Sequence, residues 1–212
     1  MALQLVLASS NARKLAELRA LLDGLPLAIV TQGSLGIAEA EEPHHSFIEN
    51  ALAKARHAAW ASGGAAIADD SGLCVGALGG APGVISAHFA GALTAWAGEA
   101  REARRLRQDA ANNQALLARL APVADRRGHF VSTLVALRHA DDPEPLVAVG
   151  RWPGEILAAP RGEQGFGYDP LMYIPSLGAT VAELDADTKN RHSHRARSAV
   201  LLRQMLVEAW CL

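Results

Sequence analysis

The feature that most constrains this chain is the join between its first two segments. A six-residue apolar run, Leu3 to Ala8, passes through the polar turn Ser9-Ser10-Asn11 directly into a stretch where Leu15, Leu18 and Leu22 recur at helical spacing and Asp23-Gly24 ends the pattern. This reads as a buried strand followed by an amphipathic helix, with Ser10 or Asn11 at the helix start. The arrangement repeats in reverse order further on. "SFIENALAKARHAAWASGG" predicts a helix with an apolar stripe of Ile48, Leu52, Ala55 and Ala59. It opens on a Ser46/Glu49 capping box and stops at Gly63-Gly64. Ala65 to Ala68 is then a strand leading into "DDSGL".

Further along, the segments 129–140 and 144–157 are rich in β-branched residues and flank the turn signal "DDPEP", predicting two antiparallel strands. Between these regions lie a glycine-rich shaped loop, "GLCVGALGGAPGVISAHFAG", and a helix over 94–120 whose charged run "GEAREARRLRQD" reads as a solvated face. The chain closes on an amphipathic helix from His194. Helices and strands interleave early and a hairpin comes later, so the fold class is α/β with a mixed sheet. No repeat or low-complexity linker divides residues 1–212, which read as a single domain.

Bulk composition removes several function classes. Lysine plus arginine is 20 against 22 for Asp plus Glu, which gives no sign of a nucleic-acid partner. No stretch approaches the roughly 20 apolar residues of a membrane span, and the N-terminus lacks the pattern of a signal peptide. The two cysteines, Cys74 and Cys211, make no disulfide framework and fit a reducing, cytoplasmic setting.

The polar motifs are individually ordinary. Ser9, Ser10 and Asn11 at a helix start offer donors to an anion, with Lys14 one turn in, although this is not a Walker P-loop. Asp69-Asp70-Ser71-Gly72 alone reads as a turn. Placed at a strand end, however, Asp70 is the aspartate suited to an open cleft. Glu39, Glu41 and Glu42 precede the second helix and, with Asp70, can complete an oxygen-rich Mg²⁺ site. In "QGFGYDP", glycines permit close approach and Phe166 or Tyr168 can stack on a base. Lys189, Arg191, His192, His194 and Arg195 form a basic cluster before the last helix. His192 and His194 with His44 and His45 lack the spacing of a zinc site. Together these pieces match the needs of a Mg–nucleoside triphosphate.

The motifs "LASSNARKLAEL", "FIENALAKARHAA", "AIADDSGL", "LGGAPGVISA", "WPGEI", "GFGYDP" and "SHR", in that order from Leu5 nearly to the C-terminus, resemble the Ham1-like inosine/xanthosine triphosphate pyrophosphatases. The resemblance implies an elongated mixed β-sheet flanked by helices, with two lobes and the active cleft between them. It also implies a homodimer and Mg²⁺-dependent hydrolysis of ITP, dITP and XTP to monophosphate and pyrophosphate. It assigns Asp70 as proton acceptor, and Glu41 and Asp70 to the metal. Substrate contacts fall to Ser9, Ser10, Asn11, Ala12, Arg13, Lys14, Lys54, Ser71, Phe166, Gly167, Tyr168, Asp169, Lys189, His194 and Arg195. Three positions depart from the family pattern: Ser9 for threonine, His88 for a basic residue, and Ala196 for glycine. A Maf-type nucleotide pyrophosphatase shares the "LAS" opening, but "SNARK" departs from its proline-arginine motif. A nucleotide-binding regulator without turnover is the remaining alternative.

Overall fold

The computed structural model describes residues 2–212. The strands are β1 (Leu3–Leu7), β2 (Leu27–Thr31), β3 (Ala65–Val75), β4 (Arg127–Leu137), β5 (Leu146–Ile156), β6 (Met172–Ile174) and β7 (Ala179–Thr180). The helices are α1 (Ala12–Leu21), α2 (Phe47–Ser62), α3 (Arg101–Leu120), α4 (Ala186–His192) and α5 (His194–Trp210). The strands form one sheet in the order β2-β1-β3-β4-β5-β6-β7. β1 pairs in parallel with both β2 and β3, because α1 and α2 carry the chain back before each return. β5, β6 and β7 pair antiparallel, with Glu155 opposite Tyr173 and Ile174 opposite Ala179. The sheet is therefore mixed, as expected from the sequence.

The chain divides into two compact units. The first comprises residues 1–71, 131–151 and 190–212; the second comprises 72–130 and 152–189. In the first unit the two-residue period of β1 sorts its side chains. Leu5 and Leu7 pack with Leu18 and Leu22 near α1 and with Leu202 and Leu206 of α5, whereas Val6 and Ala8 pack against Ala51, Ala55, Ala58 and Ala59 of α2. The alanine stripe lets α2 lie close to the strands. Each fully buried leucine contributes about 1.5–3 kcal/mol relative to an exposed one. In the second unit, Leu73, Phe130, Trp152 and Ile156 pack with Leu116 and Leu120 of α3.

Three local expectations need correction. The aspartate pair lies inside an eleven-residue strand, β3, and not at a strand end. The turn-forming tendency of Asp69-Asp70-Ser71 is overridden because both carboxylates find cations there. The helix expected from Thr94 begins at Arg101. Residues ahead of it are held as a loop by the Arg107 guanidinium, which donates to the Thr94 carbonyl (2.8 Å) and Glu99 (3.0 Å). At the start of α2, Ser46 Oγ accepts from the Glu49 N–H at 3.3 Å, which is half of the expected capping box.

Candidate active site

The β1–α1 turn of the first unit is built by its own side chains. Asn11 caps α1 by accepting from the N–H groups of Arg13 (3.0 Å) and Lys14 (3.4 Å), and Ser9 Oγ accepts from the Asn11 N–H at 3.1 Å. Two first-turn donors expected to face an anion are thus already capped. Lys14 takes over the electrostatic role. Its ammonium reaches β3 and meets the Asp69 carbonyl and the Asp69 carboxylate, each at 3.1 Å.

Asp69 and Asp70 point to opposite faces of β3 and meet different company. Asp69 is fully buried. Its Oδ2 accepts from Arg195 Nε (3.0 Å) and Nη2 (2.8 Å), and its Oδ1 accepts from Ser132 (3.0 Å). Burial works to raise the Asp69 carboxyl, but Arg195 and Lys14 outweigh it and hold Asp69 well below the usual carboxylate range. Arg195, itself only 1% exposed, is further tied to Glu17 and to Ser71 Oγ.

Asp70 sits in a less compensated place. Its Oδ1 accepts from Lys54 Nζ at 2.8 Å, and its buried Oδ2 has no donor. The same ammonium donates to Glu42 Oε2 at 3.0 Å. Burial pushes Asp70 up, Lys54 pulls it back and neighbouring Glu42 raises it again, for a balance at about 6 against an ordinary 3.8. Burial would depress Lys54, but Asp70 and Glu42 together raise it; Lys14, between an aspartate and two other cations, is lowered chiefly by burial. A small open pocket is lined by Ser9, Lys14, Glu39, Glu42, Lys54 and Asp69.

The second unit carries an aromatic-glycine loop. Asp169 organises it. Its Oδ2 accepts from the Phe166 N–H (2.9 Å) and from Lys189 Nζ (3.0 Å). Tyr168 is buried and donates its hydroxyl to the Ser86 carbonyl at 2.9 Å. Phe166 is half-buried, with Lys189 Nζ 4.6 Å and the Arg105 guanidinium carbon 5.2 Å from its ring centroid. Gly165 has φ +78°, and an added Cβ would lie 2.1 Å from Asp169 Oδ2, so only glycine fits.

A model of the Ham1 family matches residues 5–205. The chain belongs to the Ham1 family. It is 68% identical to the dITP/XTP pyrophosphatase of Methylibium petroleiphilum, covering 93% of this chain and 94% of that one. It is 66% identical to the dITP/XTP pyrophosphatase of Leptothrix cholodnii over 99% and 100% of the two chains. Among solved structures, a HAM1 protein from Coxiella burnetii superposes with a TM-score of 0.86 at 41% identity, over 97% of this chain and 99% of that one.

Within this Ham1 chain the sequence-expected residues separate into three sets. Ser9, Ser10, Asn11, Ala12, Arg13 and Lys14 form the β1–α1 turn and first helical turn, and Lys54, Asp70 and Ser71 lie with them in the first unit. Phe166, Gly167, Tyr168, Asp169 and Lys189 come together in the second. His194 and Arg195 open α5, where both are buried. The expected basic cluster does not act as one patch, because Lys189 answers Asp169 while Arg195 answers Asp69 and Glu17. Of the acidic loop, Glu41 and Glu42 are both exposed, and Glu42 meets Lys54 beside Asp70. Sequence reasoning left out Glu17, one helical turn beyond Arg13, and Ser132 on β4. Neither stands in a motif-like stretch, and only the fold brings them to Asp69 and Arg195.

Proposed function

We propose that this chain hydrolyses dITP, XTP and ITP to the nucleoside monophosphate and pyrophosphate. The observation that carries the reading is the group formed by Glu42 of the loop before α2, Lys54 of α2 and Asp70 of β3, next to the Lys14-bearing turn. With Lys14 it brings together two carboxylates and two ammonium groups, Lys14, Glu42 and Lys54 lining the small pocket and Asp70 held by Lys54, a set suited to a polyphosphate and its counterion. The names of the two relatives described above support the substrate class.

The residues present fit Mg²⁺. Asp70 Oδ2 is buried without a donor, and Glu42 and Asp70 are hard oxygen donors already drawn together around a cation, the Lys54 ammonium. Mg²⁺ usually takes one or two carboxylates, with phosphate and water completing its shell. Glu42 and Asp70 would hold it, in place of the pair Glu41 and Asp70 that the sequence resemblance implies. When bound, the metal neutralises phosphate oxygens and acidifies a water ligand.

Asp70 is the proton acceptor of the reaction. In the metal-free protein this carboxylate is poised at about 6 and is mostly ionised at neutral pH; a bound Mg²⁺ would lower it. Asp70 deprotonates the water that attacks the α-phosphorus, the α–β anhydride bond breaks, and pyrophosphate leaves with the bonding pair. Lys14 and Lys54 offset the charge on the leaving group. Asp69 is the fixed anion that holds Lys14 and Arg195 in place, and Ser71, on the same strand, accepts from Arg195 Nη2 at 3.2 Å.

The Phe166 loop receives the purine, with Phe166 as the stacking surface and Lys189 and Asp169 fixing its position. A keto oxygen at purine C6 accepts hydrogen bonds, whereas an amino group donates them. Donors from Lys189 or the loop N–H groups therefore suit hypoxanthine and xanthine and oppose adenine. Each mismatch costs about 1–3 kcal/mol, so two give roughly a hundredfold preference. A homodimer in the cytoplasm completes the reading, supported by large exposed apolar side chains such as Trp60 and Ile85. Among the described residues, no helix is long and apolar enough to cross a membrane.

Pyrophosphate release across a nucleotide panel, with and without Mg²⁺, tests the reading. Mg²⁺-dependent release from dITP and XTP with little from ATP is expected; equal rates on ATP and ITP would contradict the base assignment.

A further inference from the structure

Helix α3 presents three residues at successive four-residue steps to the Phe166 loop. The Arg105 guanidinium stacks over the Phe166 ring, Asp109 Oδ2 accepts from the Gly167 N–H at 2.9 Å, and Asn113 Nδ2 donates to the Gly167 carbonyl at 2.8 Å. The spacing of four puts them on one stripe of the helix. Two of the three, Arg105 and Asp109, belong to the charged run that the sequence alone reads as solvated. Both hydrogen-bonding groups of Gly167 are therefore gripped by one helix. Asn113 is in turn braced, because its Nδ2 also donates to the Asp109 carbonyl at 2.9 Å. Gly167 has φ +62°, so its peptide groups leave the loop in directions that a right-handed backbone would not give.

We infer that Asp109 is a positioning residue for the purine, setting the place of the Phe166 ring by holding the Gly167 N–H, with Asn113 as its partner on the carbonyl. The inference rests on the reading that the Phe166 loop receives the base. Asp109 and Asn113 touch backbone, not substrate. Their loss leaves the chemistry at Asp70 intact and loosens the stacking surface. A hydrogen bond from a backbone N–H to a carboxylate is stronger than one to a neutral acceptor, which favours aspartate for this task. A neutral amide oxygen of the same size retains much of the contact.

The test is steady-state kinetics on dITP for Asp109→Ala, Asp109→Asn, Asn113→Ala and Phe166→Ala, with melting temperatures to confirm folding. Asp109→Ala is expected to raise KM about tenfold or more while kcat stays within about twofold, and Asp109→Asn to recover most of the loss. Asn113→Ala should move KM in the same direction, which carries the test if Asp109→Ala does not fold. Amide hydrogen exchange across residues 165–169 should quicken in the folded variants. If Phe166→Ala raises KM while Asp109→Ala and Asn113→Ala leave it unchanged, the positioning role is wrong. If Phe166→Ala itself leaves KM unchanged, the base-site reading fails instead.

Discussion

Lys54 holds Asp70 by one oxygen only: its ammonium lies 2.8 Å from Oδ1, while Oδ2 is buried without a donor. The same ammonium bridges to Glu42, so a lysine stands where two carboxylates converge. A divalent cation drawn to those carboxylates must compete with it. Replacing Lys54 by Met removes the competitor and leaves two neighbouring anions. Calorimetric titration with Mn²⁺ in the absence of nucleotide is expected to show binding tightened about tenfold, on the order of 1.4 kcal/mol. Turnover should fall in the same variant, because a charge facing the polyphosphate is gone. Unchanged or weaker Mn²⁺ binding would mean that Glu42 and Asp70 do not form the cation site.

The raised Asp70 carboxyl makes a pH prediction for the metal-free protein. Its folded value of about 6 exceeds the ordinary 3.8, so the folded state binds the extra proton between these limits. Stability from this group is present below about pH 4 and is lost as pH rises through about 6, a change on the order of 3 kcal/mol. Asp70→Asn abolishes that slope. Thermal melts of the two proteins without metal should differ most near pH 7.5, with the variant more stable, and converge towards pH 4. A constant gap across that range would show that Asp70 is not raised.

Asp69 behaves in the opposite sense. Arg195 and Lys14 depress it, so its contribution is present above the ordinary value of 3.8 and is lost on acidification below it. Asp69→Asn leaves a fully buried arginine without its main counter-charge. Breaking one side of a buried pair costs about 3–5 kcal/mol, so this variant should melt far below wild type at pH 7.5, unlike Asp70→Asn. Similar melting temperatures for the two variants would erase the distinction drawn between the adjacent aspartates.

Gly165 is predicted to be intolerant of any side chain. At φ +78°, with an added Cβ 2.1 Å from Asp169 Oδ2, alanine must displace the carboxylate that holds the Phe166 N–H and Lys189. Backbone strain of this kind costs about 1–3 kcal/mol. Gly165→Ala should raise KM for dITP more than it lowers kcat. An unaltered KM would show that the loop does not set nucleotide affinity.

Much of this was legible in the sequence. The strand–turn–helix of Leu3 to Leu22 and the alanine stripe of α2 are local patterns, and local patterns survive folding. At the aspartate pair residue type favours a turn and so predicts a strand end, and only the cations on α1, α2 and α5 explain why β3 continues through it. That Glu42 and Lys54 meet depends on how the loop before α2 lies against the helix, which no spacing encodes. The same limit applies to Asp109 and Asn113. On a charged helix, the stripe that faces a neighbour looks like the stripe that faces water until the neighbour is in place.

The most direct test is Asp70→Asn, measured for dITP turnover by pyrophosphate release and for nucleotide binding by calorimetry, both with Mg²⁺. Loss of a general base lowers turnover by about 10²–10⁴-fold, and the account predicts a fall in that range with nucleotide binding still detectable. Turnover within a few fold of wild type would contradict it.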